Sequence, residues 1–515
     1  MGQRRAVLHC NASTETGMGH LMRTLTIAQT ARRRGWSVRI IGDIDEAAAG
    51  LASRAEPGVD VESVAGAALP AALTAATMQA DVVHVDSYAE VPDLASSPAL
   101  ISNMQDGPFG VRAADLSIDA NLGAEASFER PDLSRNPLAG VDLAVVREQV
   151  LRQRDAPRRE SALQRVLVVM GGSDPQGLTA RVTRALDGIA RPLAVTVVDP
   201  RGRGEVHAAA QHSAHDVRVI GFVDDLPAVA REHDLVVTAA GTSVWDFACM
   251  GLPMALVCAV DNQRPGYDHV VSRGLAVGLG APPHDDLEER IGALDALLAD
   301  GGALAAQAAR LRQTVDGRGA WRIVASWEQL VDTASDTVPD TGPAPASAGS
   351  RSPSPMMARA ATLDDARMLF DWRNDPATRA NSRTRGAVDW DAHVAWLARV
   401  VGHPDRRLLI VESEGHPVAT SRWDRHSDTD WELSITMAPE YRGRGLASAV
   451  LAASERALSV DAPTRLLAIV HGENTASLRL FRANGYLPHL PPDGDGFLAF
   501  AKWRLVGSRT TADPR

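Results

Sequence analysis

Short apolar runs rich in β-branched residues alternate with helix-like segments through the first 330 residues of the chain. The runs are residues 6–10, 37–41, 82–85, 165–170, 195–198 and 235–238, and segments 21–33 and 179–189 are typical of helices. This alternation predicts parallel, doubly wound sheets. Strand, glycine turn and helix begin again at Arg165, which predicts two Rossmann-like halves, 1–155 and 156–330, with a ligand cleft between them.

A stretch rich in Pro, Ser, Ala and Thr follows at residues 331–356. It has little to bury, so it predicts a disordered, flexible linker. Beyond it, segments 364–372, 390–400, 446–458 and 476–483 are helix-like, and 408–412, 417–423, 431–437 and 465–470 are strand-like. The pattern predicts an α+β domain over 357–507 with an antiparallel sheet, followed by a disordered tail at 508–515.

Composition narrows the function classes. The chain has 515 residues, too many for one core, and a formal net charge of −11, which disfavours broad attraction to nucleic acid or an anionic membrane. No apolar run approaches the roughly 20 residues of a membrane span. The cysteines Cys10, Cys249 and Cys258 show no metal-ligand spacing, so we expect a reduced, cytoplasmic setting and no bound metal. The oligomeric state stays open.

A first glycine turn, Gly17-Met18-Gly19-His20, lies between the first strand and its helix. Glycines allow close approach of the backbone to a ligand, and the positive end of a helix favours neutral imidazole, the form that a general base needs. The simpler interpretation is a turn with a solvated histidine.

The turn belongs to the first of three stretches that occur in a fixed order along the chain, at residues 11–25, 169–179 and 239–263. Together they resemble the UDP-sugar hydrolases of pseudaminic acid synthesis and their spore-coat-polysaccharide relatives, which are similar to GT-B glycosyltransferases. The resemblance covers about residues 5–330 and implies a GT-B-like pair of Rossmann-type domains. His9 and Asn11 stand where the family usually has Arg and Asp.

The resemblance also implies site roles. His20 would activate water for attack on the anomeric carbon of a UDP-sugar, with UDP as the leaving group. Asp246 stands where the family has a glutamate that binds the ribose, although it could simply be an acid in the first turn of a helix. The remaining substrate-binding positions are Gly17, Gly19 and Arg23, then Gly171, Gly172 and Ser173 near the diphosphate, Thr242 and Ser243 at the β-phosphate, and Asn262 and Gln263 at the sugar.

Polar residues also follow two strands of the first half. Asp86 and Tyr88 follow the strand at 82–85, and Asp106 follows a run that ends at Met104. The carboxyl ends of parallel strands line the cleft in this architecture, so these side chains are candidate substrate contacts. An ordinary surface loop would explain them equally well.

A second glycine turn, Arg442-Gly443-Arg444-Gly445-Leu446-Ala447, lies between a strand and a long helix. Small residues there let backbone N–H groups surround a pyrophosphate at the helix start. With the later stretch 474–486, the turn resembles the GNAT acetyltransferases over about residues 357–505. The resemblance implies acetyl-CoA as co-substrate, held by Met437, Arg442, Gly443, Arg444, Gly445, Leu446, Ala447, Asn474 and Ser477.

Proton transfer in this domain is less well defined by the sequence. Glu432, on the strand before the turn, is a candidate base, or a partner for a neighbouring Arg. Phe481 stands where many relatives have a tyrosine acid, and Tyr486 could be a core residue, so the acid is unassigned. Trp390, His393 and Trp396 at helical spacing favour a core role slightly over an acceptor pocket.

These observations predict a bifunctional nucleotide-sugar enzyme. One part would acetylate a UDP-4-amino-4,6-dideoxy sugar with acetyl-CoA, and the other would then release UDP, as in pseudaminic (nonulosonic) acid biosynthesis. The alternatives are a GT-B glycosyltransferase fused to an acetyltransferase for another amine, and a UDP-sugar sensor with a degenerate site.

Overall fold

The computed structural model describes residues 3–13, 18–64, 66–129, 134–156, 164–171, 174, 176–281, 287–336 and 356–505, with Asn262 and Asp336 described by their backbone alone. The chain divides into two compact units, Met1–Val324 and Ala325–Arg515. In the described ranges, no helix is both long enough and apolar enough to cross a membrane.

The first half of unit 1 is built on a seven-stranded parallel sheet in the order β3-β2-β1-β4-β5-β6-β7. Its order reverses between β1 and β4, which opens a crevice at the carboxyl ends of these strands. The elements are β1 (Arg5–His9), α1 (Gly19–Arg33), β2 (Ser37–Gly42), α2 (Glu46–Ala55), β3 (Asp60–Ser63), α3 (Leu69–Thr77), β4 (Val82–Asp86), β5 (Leu100–Gln105), β6 (Leu116–Asp119), α4 (Ala124–Ser127), β7 (Asn136–Ala139) and α5 (Glu148–Arg154).

The second half of unit 1 repeats this winding in a six-stranded parallel sheet, ordered β10-β9-β8-β11-β12-β13. Its crevice therefore lies between β8 and β11. The elements are β8 (Gln164–Val169), α6 (Leu178–Ala185), β9 (Leu193–Val198), α7 (Gly204–His212), β10 (Asp216–Ile220), α8 (Leu226–Arg231), β11 (Leu235–Ala239), α9 (Ser243–Met250), β12 (Met254–Val257), α10 (Arg264–Ser272), β13 (Val277–Gly278), α11 (Leu287–Ala299), α12 (Gly301–Thr314) and α13 (Gly319–Asp336). The predicted pair of Rossmann-type sheets is confirmed.

The central strands explain why these sheets form. Every residue of β4 and of β11 is buried, as expected for parallel strands covered on both faces. The start of α13 returns to the first half, where a Cβ on Gly319 would lie 2.3 Å from the carbonyl oxygens of both Leu143 and Ala144. Only glycine allows this close approach, which ties the end of the second half to the first.

Unit 2 contains a seven-stranded sheet in the order β14-β15-β16-β17-β18-β20-β19. The predicted antiparallel sheet is wrong in one place: β17 and β18 are parallel, so the sheet is mixed. The crossover between them, α17, makes this parallel pairing possible. The elements are β14 (Met357–Ala360), α14 (Ala366–Asn374), α15 (Pro376–Ala380), α16 (Trp390–Val400), β15 (Arg406–Ser413), β16 (His416–Arg425), β17 (Asp430–Met437), α17 (Ala447–Ala457), β18 (Thr464–His471), α18 (Thr475–Ala483), β19 (Leu487–Leu490) and β20 (Phe497–Arg504).

The pairing of β17 with β18 is incomplete. It runs from Asp430 opposite Arg465 to Leu433 opposite Ala468, whereas the strands continue to Met437 and His471. Their carboxyl-terminal portions therefore part, and the backbone groups that face this gap are available to an inserted ligand.

Part of the segment predicted as a linker is helical. Helix α13 continues to Asp336, so the first residues of the 331–356 segment are helical. Residues 337–355 and the predicted tail 508–515 lie outside the described residues.

Candidate functional sites

A histidine and a carboxylate meet at the crevice of the first half. His20, in the first turn of α1, lies with its Nδ1 2.7 Å from Oδ1 of Asp86, the last residue of β4. Asp86 is fully buried, whereas 24% of the His20 side chain is exposed. An ionised carboxylate only accepts hydrogen bonds, so Nδ1 donates and Nε2 keeps its lone pair. The β1/β4 reversal thus brings together two residues far apart in sequence.

Arg23 holds this carboxylate in its ionised form. One turn after His20, its Nε and a terminal nitrogen donate to the two oxygens of Asp86 at 2.7 and 2.6 Å, and the guanidinium also contacts Asp106 at 3.2 Å. Burial opposes ionisation of Asp86, but the charge and hydrogen bonds of Arg23 and the bond from His20 outweigh it and lower the Asp86 pKa. The pKa of Asp106 is also lowered, because the charge of Arg23 overcomes burial.

Tyr88 completes the wall beside His20. Its hydroxyl donates to Oδ2 of Asp106, and its ring packs edge-on against His20 with the centroids 4.6 Å apart. Burial, then the charge of Asp106, raises the Tyr88 pKa, which keeps the hydroxyl protonated. Phe109 packs on Tyr88 and is 49% exposed, and Asn121 contacts Asp106 at 3.4 Å. Sequence reasoning missed Phe109 and Asn121, although both follow strand ends.

The glycine turn of the first half faces a helix start of the second half. A Cβ on Gly19 would lie 4.0 Å from Oγ1 of Thr242, the residue directly before α9. A Cβ on Gly241 would lie 3.6 Å from Nε2 of Gln263, whose Oε1 accepts from the Ala259 amide. The amino-terminal ends of α1 and α9 therefore converge on one gap, where both helix dipoles favour an anion.

Other predicted substrate contacts have mixed outcomes. Gly171 adopts the left-handed φ of 82° directly after β8 and borders the second crevice. Ser243 is the first residue of α9. Gly17, Gly172 and Ser173 lie outside the described residues, as does the side chain of Asn262.

Asp246 forms an ion pair with Arg147. Its Oδ2 accepts from Nε and a terminal nitrogen of Arg147 at 3.2 and 2.6 Å, and this pair joins α9 to the segment before α5. Burial raises the Asp246 pKa, against the opposing charge of Arg147. Ribose binding by Asp246 stays a prediction, and this geometry favours a role in joining the two halves.

His9 and Asn11, the two residues that depart from the family pattern, form hydrogen bonds to the backbone of the protein. His9 is buried and its Nδ1 donates to the Ile41 carbonyl, and burial lowers its pKa. Asn11 accepts a hydrogen bond from the Asp43 amide through Oδ1. Both side chains therefore support the turn after β2.

The second glycine turn forms an open cradle. Gly443 and Gly445 adopt left-handed φ values of 71° and 74°, and a Cβ on either would meet no heavy atom within 4 Å. Within the described part of the chain, no acceptor pairs with the amides of residues 443–446, and α17 begins without a side-chain cap. Unpaired amides at a helix start suit an anion such as a pyrophosphate.

Three predicted cofactor contacts also have structural roles. Arg442 donates to Oδ1 of Asp375 at 2.6 Å and to Oγ1 of Thr378 at 2.7 Å, which fixes the turn against α15. Asn474 caps α18 by accepting from the Ser477 amide at 3.1 Å. Arg444 lies over the Tyr441 ring. Met437 is the last residue of β17, Leu446 is the residue before α17, and Ala447 is the first residue of α17.

Glu432 lies next to the point where β17 and β18 part. Its Oε2 is 2.9 Å from Nε2 of His426 and its side chain is 27% exposed, so the contact observed is with a histidine, whereas the structural alternative named an arginine. Tyr486 is fully buried, its hydroxyl donates to Glu455, and burial followed by the charge of Glu455 raises its pKa well above the usual range. Tyr486 is thus a core residue.

The aromatic residues of α16 pack on one another. His393 is buried, donates through Nε2 to the Ala366 carbonyl, and contacts the rings of Phe370, Trp390 and Trp396. The predicted core role thus fits His393, whereas Trp396 is partly buried and Trp390 is 38% exposed. Elsewhere in the described residues, no group of three or more His, Cys, Asp or Glu side chains could hold a metal ion.

Comparison with known proteins gives different relatives for the Rossmann-type part and for the C-terminal domain. Residues 356–487 match the family model of the acetyltransferase (GNAT) domain. An uncharacterized protein of Methanocaldococcus jannaschii is 21% identical over 51% of this chain and 57% of its own length. The UDP-N-acetylglucosamine–N-acetylmuramyl-(pentapeptide) pyrophosphoryl-undecaprenol N-acetylglucosamine transferase of Thiobacillus denitrificans is 29% identical over 48% of this chain and 78% of its own length. The Bacillus subtilis spore coat polysaccharide biosynthesis protein SpsG is 23% identical over 32% of this chain and 50% of its own length.

Two solved structures are similar at low identity. Acinetobacter baumannii MurG has a TM-score of 0.48 at 14% identity, covering 64% of this chain and 99% of its own. A Vibrio cholerae spermidine N-acetyltransferase in complex with CoA and spermine has a TM-score of 0.26 at 17% identity. The match covers 29% of this chain and 95% of the acetyltransferase chain. The family model thus marks an acetyltransferase (GNAT) domain at residues 356–487, and the chain is also similar to proteins that act on or are named for nucleotide sugars and polysaccharides.

Proposed function

We propose that this protein is a bifunctional nucleotide-sugar enzyme. Unit 1 hydrolyses a UDP-sugar at its anomeric carbon, and unit 2 transfers acetyl from acetyl-CoA to the amine of a UDP-4-amino-4,6-dideoxy sugar, as in nonulosonic acid biosynthesis. The observation that carries the proposal is His20, oriented by the buried carboxylate of Asp86 at the crevice of a Rossmann-type sheet.

The hydrolytic step follows from this pair. Because Nδ1 donates to Asp86, Nε2 of His20 accepts a proton from water as the water oxygen bonds to C1. The bond between C1 and the diphosphate oxygen breaks, and UDP leaves with the electron pair. Asp86 positions the imidazole and stabilises the imidazolium that forms, while Arg23 keeps Asp86 ionised.

In this proposal the leaving diphosphate binds between the amino-terminal ends of two helices, α1 and α9. The amino-terminal ends of α1 and α9 approach each other at Gly19 and Thr242, and Gly171 borders the same crevice. Backbone N–H groups and the Thr242 hydroxyl would stabilise the charge that develops on the diphosphate. Tyr88 and Phe109 offer the exposed aromatic surface that a sugar ring packs against.

The relative from Thiobacillus denitrificans is a glycosyltransferase, which favours a second candidate: transfer of the sugar to an alcohol instead of water. In that case His20 would deprotonate the acceptor hydroxyl. Incubation with a UDP-sugar and no acceptor separates the two. Release of UDP and free sugar supports hydrolysis, and strict dependence on an added alcohol overturns it.

The acetyl transfer uses the open cradle and the parted strands. The amides of residues 443–446 bind the pyrophosphate of acetyl-CoA, whose thioester arm reaches into the gap between β17 and β18. The amine nitrogen attacks the thioester carbonyl, the C–S bond breaks, and the thiolate takes up a proton. Glu432, at the closed end of the gap, is the group placed to take the amine proton.

Mass spectrometry of the products tests both steps together. The full chain is incubated with a UDP-4-amino-4,6-dideoxy sugar and acetyl-CoA. We expect a mass gain of one acetyl group followed by loss of UDP. A product that gains acetyl and keeps UDP overturns the hydrolase, and loss of UDP without acetylation overturns the acetyltransferase assignment.

A further inference from the structure

A polar cleft of about 590 Å³ lies in unit 2 beyond the cofactor cradle. Its walls come from the segment after α15, from the end of β18 and from the hairpin before β20. They include Asn381, Ser382, Arg383, Arg385, His471 and Phe497. None of these residues belongs to the glycine turn or to the Glu432 site.

The cleft opens on the sheet face that carries Glu432. Glu432 pairs with Leu467, and His471 lies four positions further along β18 and pairs with Phe497. Side chains alternate between faces along a strand, so all four share one face. The opposite face, which includes Leu433 and Ala468, packs into the core with Leu451 of α17. A ligand in the cleft therefore lies along the strands whose parting admits the thioester arm.

Two arginines of the cleft, Arg383 and Arg385, supply positive charge. Arg383 contacts the Phe497 ring, with its guanidinium carbon 5.3 Å from the centroid, and among the described residues neither Arg383 nor Arg385 has a carboxylate partner. Arg373 donates to the Thr384 carbonyl between them, and its other terminal nitrogen is buried without an acceptor in the described chain. Burial, then the charge of Arg379, lowers the Arg373 pKa.

Two carboxylates, Asp493 and Asp495, also line the cleft. Asp493 accepts from the amides of Asp495 and Phe497 and shapes the hairpin, and Asp495 is exposed in the cleft. The cleft therefore offers both guanidiniums and carboxylates. A polyamine would complement only the carboxylates, whereas a ligand that carries both a diphosphate and an ammonium complements both groups.

We infer that this cleft binds the diphosphate of a nucleotide-linked amino sugar through Arg383 and Arg385, so that acetylation precedes loss of the nucleotide. The inference rests on the proposed function, since it names the acceptor of the same acetyl transfer. It also gives the chain a nucleotide diphosphate site in unit 2, separate from the site in unit 1. Arginine suits this role because its planar fork binds phosphate oxygens in pairs.

Titration calorimetry with UDP tests the site without relying on turnover. The full chain is saturated with CoA, which fills the cradle at residues 443–446. We expect about two UDP molecules per chain for the unchanged protein and about one for the Arg383→Gln/Arg385→Gln double variant. The matched control is Arg399→Gln, an exposed arginine of α16 outside the cleft, which should keep two sites. One UDP per chain in all three proteins overturns the inference.

Kinetics of thiol release separate this inference from the proposed function. We expect each single Gln variant to raise the KM for the UDP-linked amine about tenfold, as for loss of a charge-assisted hydrogen bond, and to leave the KM for acetyl-CoA unchanged. A rise in the KM for acetyl-CoA instead would assign the arginines to the cofactor and overturn the inference. Two UDP sites without any thiol release from a UDP-linked amine would support the anion site and overturn the proposed acetyl transfer.

Discussion

The two glycine turns begin helices in the same way, but their charged neighbours differ. At the first turn, Asp86, Arg23 and Asp106 form a largely buried, mutually paired cluster beside one histidine that is 24% exposed. In unit 2, among the described residues, the amides of 443–446 have no acceptor, and Arg383 and Arg385 of the cleft have no carboxylate partner. Buried charged groups that pair with one another can orient a reacting group. Exposed charged groups without a protein partner can bind a ligand of opposite charge. The first arrangement fits the proposed role of His20 as a base, and the second fits the proposed binding of anionic ligands.

Removal of His20 should have the largest effect. With His20→Ala, release of UDP from a UDP-sugar should fall about 10²- to 10⁴-fold, the usual contribution of a general base. Thiol release by unit 2 should be unchanged. His207→Ala, an exposed histidine of α7, is the matched control. Unaltered UDP release in His20→Ala would favour the sensor with a degenerate site.

Asp86 should matter for both stability and catalysis. Asp86→Asn leaves the buried Arg23 charge without its closest partner, which should cost about 3–5 kcal/mol in the free energy of unfolding of unit 1. It should also lower kcat more than it changes KM, because the imidazole loses its orientation. Urea unfolding at pH 7 and steady-state kinetics measure these effects, with the exposed Asp224→Asn as control. Equal stability of both variants would contradict the paired cluster.

The pH dependence of stability follows from the same pair. The folded-state pKa of Asp86 lies below its unfolded value of about 4. Its contribution is therefore present above that pH and is lost as the pH falls through the folded-state pKa. We expect the stability of the unchanged protein to fall more steeply below about pH 4 than that of Asp86→Asn. Parallel curves in urea titrations across this range would show that Asp86 is not the group responsible.

The cradle of unit 2 can be tested with two glycines of matched backbone. Gly445→Ala should raise the KM for acetyl-CoA about tenfold, since a methyl group at a left-handed residue distorts the loop that presents its amides. Gly402→Ala has a similar φ of 78° and equally open surroundings outside the loop, so it carries the same strain without the kinetic effect. An equal rise in both variants would mean that strain alone is responsible.

Loss of the Tyr88 hydroxyl should have the smallest effect. Tyr88→Phe removes the bond to Asp106 and keeps the ring against His20, so we expect a severalfold drop in UDP release, equivalent to about 1 kcal/mol. Tyr88→Leu also removes the ring and should lose more. If the two variants were equally active, the ring contact with His20 would be irrelevant to the reaction.

The sequence by itself determined the two Rossmann-type halves and a separate α+β domain, because strand periodicity and glycine turns are local signals. The acetyltransferase assignment and the role of His20 as candidate base came from the family resemblances of the motifs. The sequence could not determine which partners His20, Glu432 or Asp246 have, since those contacts join residues distant in the chain. The structure decided that Asp86 orients His20, that Arg442 fixes α15 and that one strand pair is parallel. The reason is physical: the reversal of strand order and the pairing of buried charges arise only when the sheets are assembled.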